Sequence, residues 1–236
     1  MSNELDLSEE RAWRYEEIAK IAVSNLQKRN LTAQYIANRK EALVTVMGLI
    51  PEGATVVFGD SVTLDQIGVV NELRKRNKNV VLNPMERNED GSATVTGDER
   101  LKMQRAAFSA NVFLAGANAV TLDGKLVNTD ALGNRVAPMI FGPDKVIIVA
   151  GVNKLVKDVH EAFERIHRIA APINAKRHAT KHHMEAFGNL PCARTGSCVD
   201  CNNEWRICRS TVIIEGSFGR RKDRMNVILV GEELGI

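Results

Sequence analysis

The sequence predicts an α/β protein: an open, doubly wound, mostly parallel sheet, preceded by a helical N-terminal region and carrying a cysteine-rich C-terminal loop. Three observations predict it. From residue 51 onward, short apolar runs of strand length alternate with amphipathic stretches of helical period, as in a parallel sheet covered on both faces. The chain has 236 residues, 44% apolar and 26% charged, which suffices for one sizeable core. All four cysteines fall between Cys192 and Cys208. The expected division is a helical region over 1–50 and an α/β domain over 51–236, with the cysteine-rich loop at 191–208.

Taken in order, Trp13, Ile18, Ile21, Ala22 and Leu26 recur at helical spacing, and Ser8 stands as an N-cap before a Glu-rich first turn. Residues 8–30 are therefore predicted helical. Tyr35, Ala42, Leu43, Val46 and Met47 predict a second helix over 31–49, stopped by Ile50-Pro51-Glu52-Gly53, so the chain is expected to begin with a helical pair. Strands follow at 55–58, 79–83, 112–115 and 146–150, and helices at 63–76, 98–109 and 155–169. Residues 211–214 and 226–230, separated by a charged turn at 219–224, are expected as closing strands. No internal repeat or low-complexity tract interrupts the pattern.

The net charge is only +3, but it is unevenly spread. All five histidines lie between His160 and His183, among Lys157, Arg165, Arg168, Lys176, Arg177 and Lys181, and that segment attracts anions. No apolar run approaches the roughly 18 residues of a membrane span. Residues 1–10 are polar and acidic, without a secretory apolar run, so a cytoplasmic location with reduced thiols is expected. Neither nucleic acid nor membrane is expected as a partner, and homo-oligomerisation stays open.

In open α/β sheets, ligands bind where the strand-to-helix loops converge. The first such loop is Phe58-Gly59-Asp60-Ser61-Val62-Thr63, with a capping-box spacing from Thr63 to Gln66 and free N–H groups that suit an anion. It matches neither G-x-G-x-x-G nor G-x4-G-K-[ST], which argues against a dinucleotide fold and a P-loop ATPase. The second loop, 115–135, holds Asn118, Thr121, Asn128, Asn134 and Arg135 around an Asp123-Gly124 hairpin turn, a set suited to orienting a small polar ligand. Arg135 offers a planar fork for a carboxylate, or alternatively a tie for its own loop. The third loop places Lys154 to pair with a carboxylate or phosphate. Asp60, Ser61, Asn128 and Lys154 are the expected catalytic residues. Gly59, Asn118, Thr121, Asn134 and Arg135 are the expected contacts of a small anionic substrate. His178 and His182, four apart, could share a helix face, but no acidic third ligand accompanies them and a solvated basic face is expected. No G-x-S-x-G elbow or Cys-His nucleophile is present.

Cys192, Cys198, Cys201 and Cys208 stand as C-x5-C-x2-C-x6-C on a stretch made turn-rich by Pro191, Gly196, Asn202 and Asn203. Soft thiolates in one loop point to a 4Fe-4S cluster, with zinc as the alternative. Only Cys198 and Cys201 form the short pair usual in structural zinc sites.

The runs GDSVTLDQIG, GANAVTLDGKLVNTDALGNRV, VAGVNKLV, AAPINAKR and PCARTGSCVDC resemble the LUD-domain family, relatives of lactate-utilisation protein C. The similarity extends from about residue 10 to the C-terminus, and the cysteine-bearing loop matches a subset of that family. The resemblance implies an α/β fold like that of sugar-isomerase and coenzyme A transferase domains. It also implies a role in oxidising lactate or a related hydroxy acid alongside separate iron-sulfur subunits. Two function classes follow. The first is an iron-sulfur protein acting on a small hydroxy or keto carboxylate, as an electron-transfer subunit or a Lewis-acid dehydratase or isomerase. The second is a non-catalytic assembly protein with a structural four-cysteine zinc site.

Overall fold

A computed structural model describes residues 5–236. Helix α1 (Ser8–Lys28) buries Ala19, Ala22 and Leu26, which recur at three- and four-residue spacing, and leaves Trp13 and Ile21 exposed. Ser8 is its first helical residue rather than its cap, and the Ser8 N–H donates to Asp6 Oδ1 at 3.0 Å. The helix expected over 31–49 is a strand, β1 (Thr32–Ile36), followed by α2 (Arg39–Leu49), whose cap Asn38 accepts the N–H groups of Lys40 and Glu41.

The chain continues through β2 (Thr55–Phe58), α3 (Val62–Ile67), α4 (Val69–Arg76), β3 (Val80–Leu82), α5 (Gly97–Ala106), β4 (Val112–Gly116), β5 (Ala119–Thr121), β6 (Leu126–Asp130), α6 (Val136–Ile140) and β7 (Lys145–Gly151). It ends with β8 (Leu155–Val156), α7 (Val159–Arg165), α8 (Ala171–Lys181), α9 (Glu185–Gly188), α10 (Pro191–Thr195), β9 (Ser210–Ile214) and β10 (Met225–Val230). Three predicted helices change shape. The one over 63–76 is broken by Gly68, whose φ of +79° ends α3 in the left-handed region. The one over 98–109 finishes as a 3-10 turn, Ala107–Ser109. The one over 155–169 gives its first two residues to β8, and α7 then passes through a π-turn, Ile166–Ala170, directly into α8.

Six parallel strands form the main sheet in the order β1-β10-β7-β4-β2-β3. Strand β10 is not a closing edge: it lies between β1 and β7, with Thr32 opposite Asn226 and Val227 opposite Ile148. A smaller mixed sheet, β8-β5-β6-β9, takes up the expected hairpin and places β9 antiparallel to β6.

Both faces of the main sheet are covered. On one face Val57, Phe113, Ile148 and Leu229 pack with α1 and with Val120 and Leu126 of the hairpin. On the other, Val56, Leu114, Ile147 and Ile228 pack with Ala42 and Val46 of α2 and with Leu64 and Leu73 of α3 and α4. Burial on both sides explains why these strands read as unbroken apolar runs. Each fully buried large aliphatic contributes roughly 1.5–3 kcal/mol. A satellite core of Ala175, Leu190 and Ala193, with Phe187, Cys192 and Ile207, ties the cysteine loop to α8. Among the described residues no helix is long and apolar enough to cross a membrane.

Candidate functional site

The carboxyl ends of β2, β4 and β7 open on a cavity of about 320 Å³, roofed by the α7–α8 rod. Asp60, Ser61, Asn118, Asn134, Arg135 and Lys154 of the expected set line it. Three others do not. Gly59 opens on an adjoining cavity of about 750 Å³ and packs against Arg135, whose Cγ would lie 3.1 Å from a Cβ at this position. The hydroxyl of Thr121 donates to the Asp123 carboxylate and accepts the Lys125 N–H at 2.9 Å, so it fastens the hairpin turn. Asn128 is fully buried behind the wall. Its Oδ1 accepts the Asn118 N–H at 3.1 Å and Arg135 Nη1 at 2.9 Å, while its Nδ2 has no partner among the described residues.

Arg135 is held from both ends of its fork. Nη1 donates to Gly116 O at 3.2 Å as well as to Asn128, and Nη2 donates to Asn118 Oδ1 and Thr129 O, both at 2.8 Å. These acceptors are all neutral, and burial lowers the Arg135 pKa. Asp130 accepts three backbone N–H groups, from Gly133, Arg135 and Val136. Arg135 thus ties its own loop and brings a positive charge to the cavity that Asp130 and Asp60 offset only in part, with no terminal donor left over.

The side chain of Lys154 is buried, and its Nζ donates to Thr63 Oγ1 at 2.9 Å. Burial, reinforced by Arg165 and Arg135, pushes Lys154 down to about 7. Thr63 therefore turns inward instead of capping α3, and Ser61 is the cap, accepting the Leu64 N–H at 3.4 Å. Gln66, the other end of the expected capping box, accepts the Gly235 N–H at 2.6 Å.

Several lining groups were not singled out from the sequence as site residues. Arg177 of α8 grips Asp60 by two bonds, and Arg87 and Arg100 line the wall. Burial opposes ionisation of Asp60, but the bond and charge of Arg177 override it and hold the carboxyl at about 2. Arg87 Nε, Arg87 Nη2 and Arg100 Nε have no partner among the described residues. Arg165, also buried, donates to Asn153 O and Asn118 O. The expected solvated histidine face is also corrected. His178 is buried and lines the cavity, its ring meets His182 with Nδ1···Nδ1 at 2.9 Å, and burial pushes both histidines down, His182 to about 4. Packing against Asp60 and Phe187 turns this face inward. The one signal in the sequence was the basic, histidine-rich segment itself.

All four cysteines are unpaired and line a single pocket of about 10 Å³ with His167 and Arg206. Arg206 donates to Cys208 Sγ at 3.2 Å and pairs with Asp200 at 2.9 Å. Burial, then the other three thiols, raise the Cys192 thiol pKa. Among the described residues no group of three or more His, Cys, Asp or Glu is set to hold a metal ion. Cys208 and Ile207 also line the larger cavity, so the two pockets share a wall.

The family model of the LUD domain matches residues 19–230. The chain belongs to the LUD domain family. A crystal structure of a DUF162-family protein from Deinococcus radiodurans superposes with a TM-score of 0.52 over 92% of this chain and 98% of that one. At 14% identity the likeness is one of fold. No curated protein matches the chain. Within the LUD domain, the runs at 59–68, 116–136, 149–156 and 170–177 supply Asp60, Arg135, Lys154 and Arg177 to the cavity, and Arg87, Arg100 and Cys208 reach it from outside them.

Proposed function

We propose that this LUD-domain protein binds a small hydroxy or keto carboxylate in the strand-end cavity and carries an iron-sulfur cluster on the four thiols beside it. One observation carries the first half. Arg87, Arg100, Arg135, Lys154 and Arg177 line the cavity, whereas Asp60 and Asp130 already have partners in Arg177 and the backbone of 133–136. The cations outnumber these carboxylates, an excess of buried positive charge is costly, and an anion entering here would relieve it while meeting the unpartnered donors of Arg87 and Arg100. The volume of about 320 Å³ lies at the lower end of ligand pockets and admits a small acid with space to spare.

The second half rests on the donor set. Cys192, Cys198, Cys201 and Cys208 face one pocket, and soft thiolates favour iron-sulfur clusters or zinc over hard cations. The pocket is too small for a cluster as it stands, so the loop would open around Arg206 to receive one. A cluster on four thiolates carries single electrons, and one on three leaves an iron open as a Lewis acid. With Cys208 among its ligands, the cluster would stand behind the wall that the two pockets share. The lactate-linked role of LUD proteins agrees with such a pairing of hydroxy acid and redox centre.

Calorimetric titration with L-lactate, pyruvate and neutral lactamide tests the first half. Binding of the two acids but not of the amide is expected, and equal binding of all three removes the anion site. Iron and sulfide assayed after anaerobic purification test the second. Stoichiometric zinc without sulfide would favour the assembly-protein reading.

A further inference from the structure

We propose that Lys154 forms an imine with the carbonyl carbon of a small 2-keto carboxylate held in the cavity. This rests on the carboxylate reading above and adds a covalent step to it. Lys154 is 4% exposed, reaches the cavity wall, and donates one hydrogen bond, to the neutral hydroxyl of Thr63. An amine becomes a nucleophile only when its proton is off, and ion-paired lysines keep theirs. Here the surroundings work against the proton: burial comes first, then the guanidinium groups of Arg165 and Arg135. Asp60, a carboxylate of the same cavity wall, is paired with Arg177 at 2.8 and 3.0 Å and not with Lys154.

The cavity wall also sets a hydroxyl near the amine. A Cβ built on Gly116 would lie 2.8 Å from Ser61 Oγ and 3.7 Å from Lys154 Nζ, so both side chains pack over the same bare stretch of backbone, and all three residues line the cavity. The unpartnered N–H groups of Arg87 and Arg100, on the same cavity wall, are suited to the carboxylate end.

The step balances without another reactant. The amine lone pair forms the C–N bond as the carbonyl π pair passes to oxygen. Both amine hydrogens then leave with that oxygen as water while C=N forms, and no electrons are transferred overall. Ser61, the hydroxyl on the same cavity wall, can pass protons from nitrogen to oxygen.

The test incubates the full chain with pyruvate and cyanoborohydride over a range of pH, then locates the reduced adduct by peptide mass spectrometry. Binding of L-lactate, which has the carboxylate but no carbonyl, is measured separately by calorimetry. We expect a single adduct, on the peptide containing Lys154, whose formation is half-maximal near the amine's value of about 7. The adduct should disappear in Lys154→Met and Lys154→Arg. Mapping in the unaltered protein identifies the residue even if those variants fold poorly. Adducts scattered over surface lysines, or none while L-lactate binds, overturn the imine and leave the carboxylate site standing. If neither acid binds, both readings fall.

Discussion

Arg177 of α8 and Asp60 of the loop after β2 meet through two bonds of 3.0 and 2.8 Å, although 117 residues separate them in the chain. The pair lines both the 320 Å³ cavity and its larger neighbour, and it pins the α7–α8 rod to the sheet end. The proposed carboxylate site would depend on this pin.

Its contribution should be visible in pH dependence. Asp60 falls from an ordinary 3.8 to about 2 in the folded protein. A depressed carboxyl stabilises the fold above its unfolded value, and that stability is lost as pH falls through the folded one. A shift of this size corresponds to about 2 kcal/mol. Denaturant melts of wild type and Asp60→Asn should therefore differ by about that amount at pH 6 and converge between pH 4 and 2. A gap that stays constant down to pH 2 would show that the ion pair is not the source.

Arg135→Lys should cost stability as well as binding. Four hydrogen bonds from the fork to Gly116 O, Asn128, Asn118 and Thr129 O cannot be replaced by one ammonium, and leaving buried acceptors unmet costs on the order of 2–3 kcal/mol. A clear drop in melting temperature is expected, and an unchanged one would mean that the loop does not rely on this residue.

Gly116→Ala tests this stretch of wall. The new methyl group would lie 2.8 Å from Ser61 Oγ, which caps α3, so the hydroxyl must shift beside Lys154. Affinity for L-lactate or pyruvate should fall about tenfold, equivalent to roughly 1.4 kcal/mol, and the disturbed cap should cost on the order of 1 kcal/mol of stability. Wild-type affinity in this variant would place the ligand away from Ser61 and Lys154.

Single Cys→Ser replacements at 192, 198, 201 and 208 should each lower iron and sulfide content. If one variant alone keeps a cluster, that position is the free one. Full content in all four variants would remove the cluster from this loop. Cys208→Ser should also alter carboxylate binding, because Cys208 lines both pockets.

The sequence by itself determined the local layout. Strands β2, β4 and β7 declare themselves as continuous apolar runs because both of their faces are buried, and the loops at their ends supplied Asp60, Ser61, Asn118, Asn134, Arg135 and Lys154, all of which line the cavity. Membership of the LUD domain family was legible in the same runs. Tertiary structure alone decided the rest. Thr32–Ile36 has little strand pattern and gains its identity by pairing with β10, whose Asn226 lies 194 residues after Thr32. The charges of Arg165 and Arg177 look like a solvated helix face until the rod packs on the strand ends. Arg135, read for its fork, is bound to its own loop because the acceptors that hold it come from β4, β6 and the turn between β4 and β5. Local periodicity records which face of an element is apolar, but which distant groups meet that face is fixed only when the chain closes on itself.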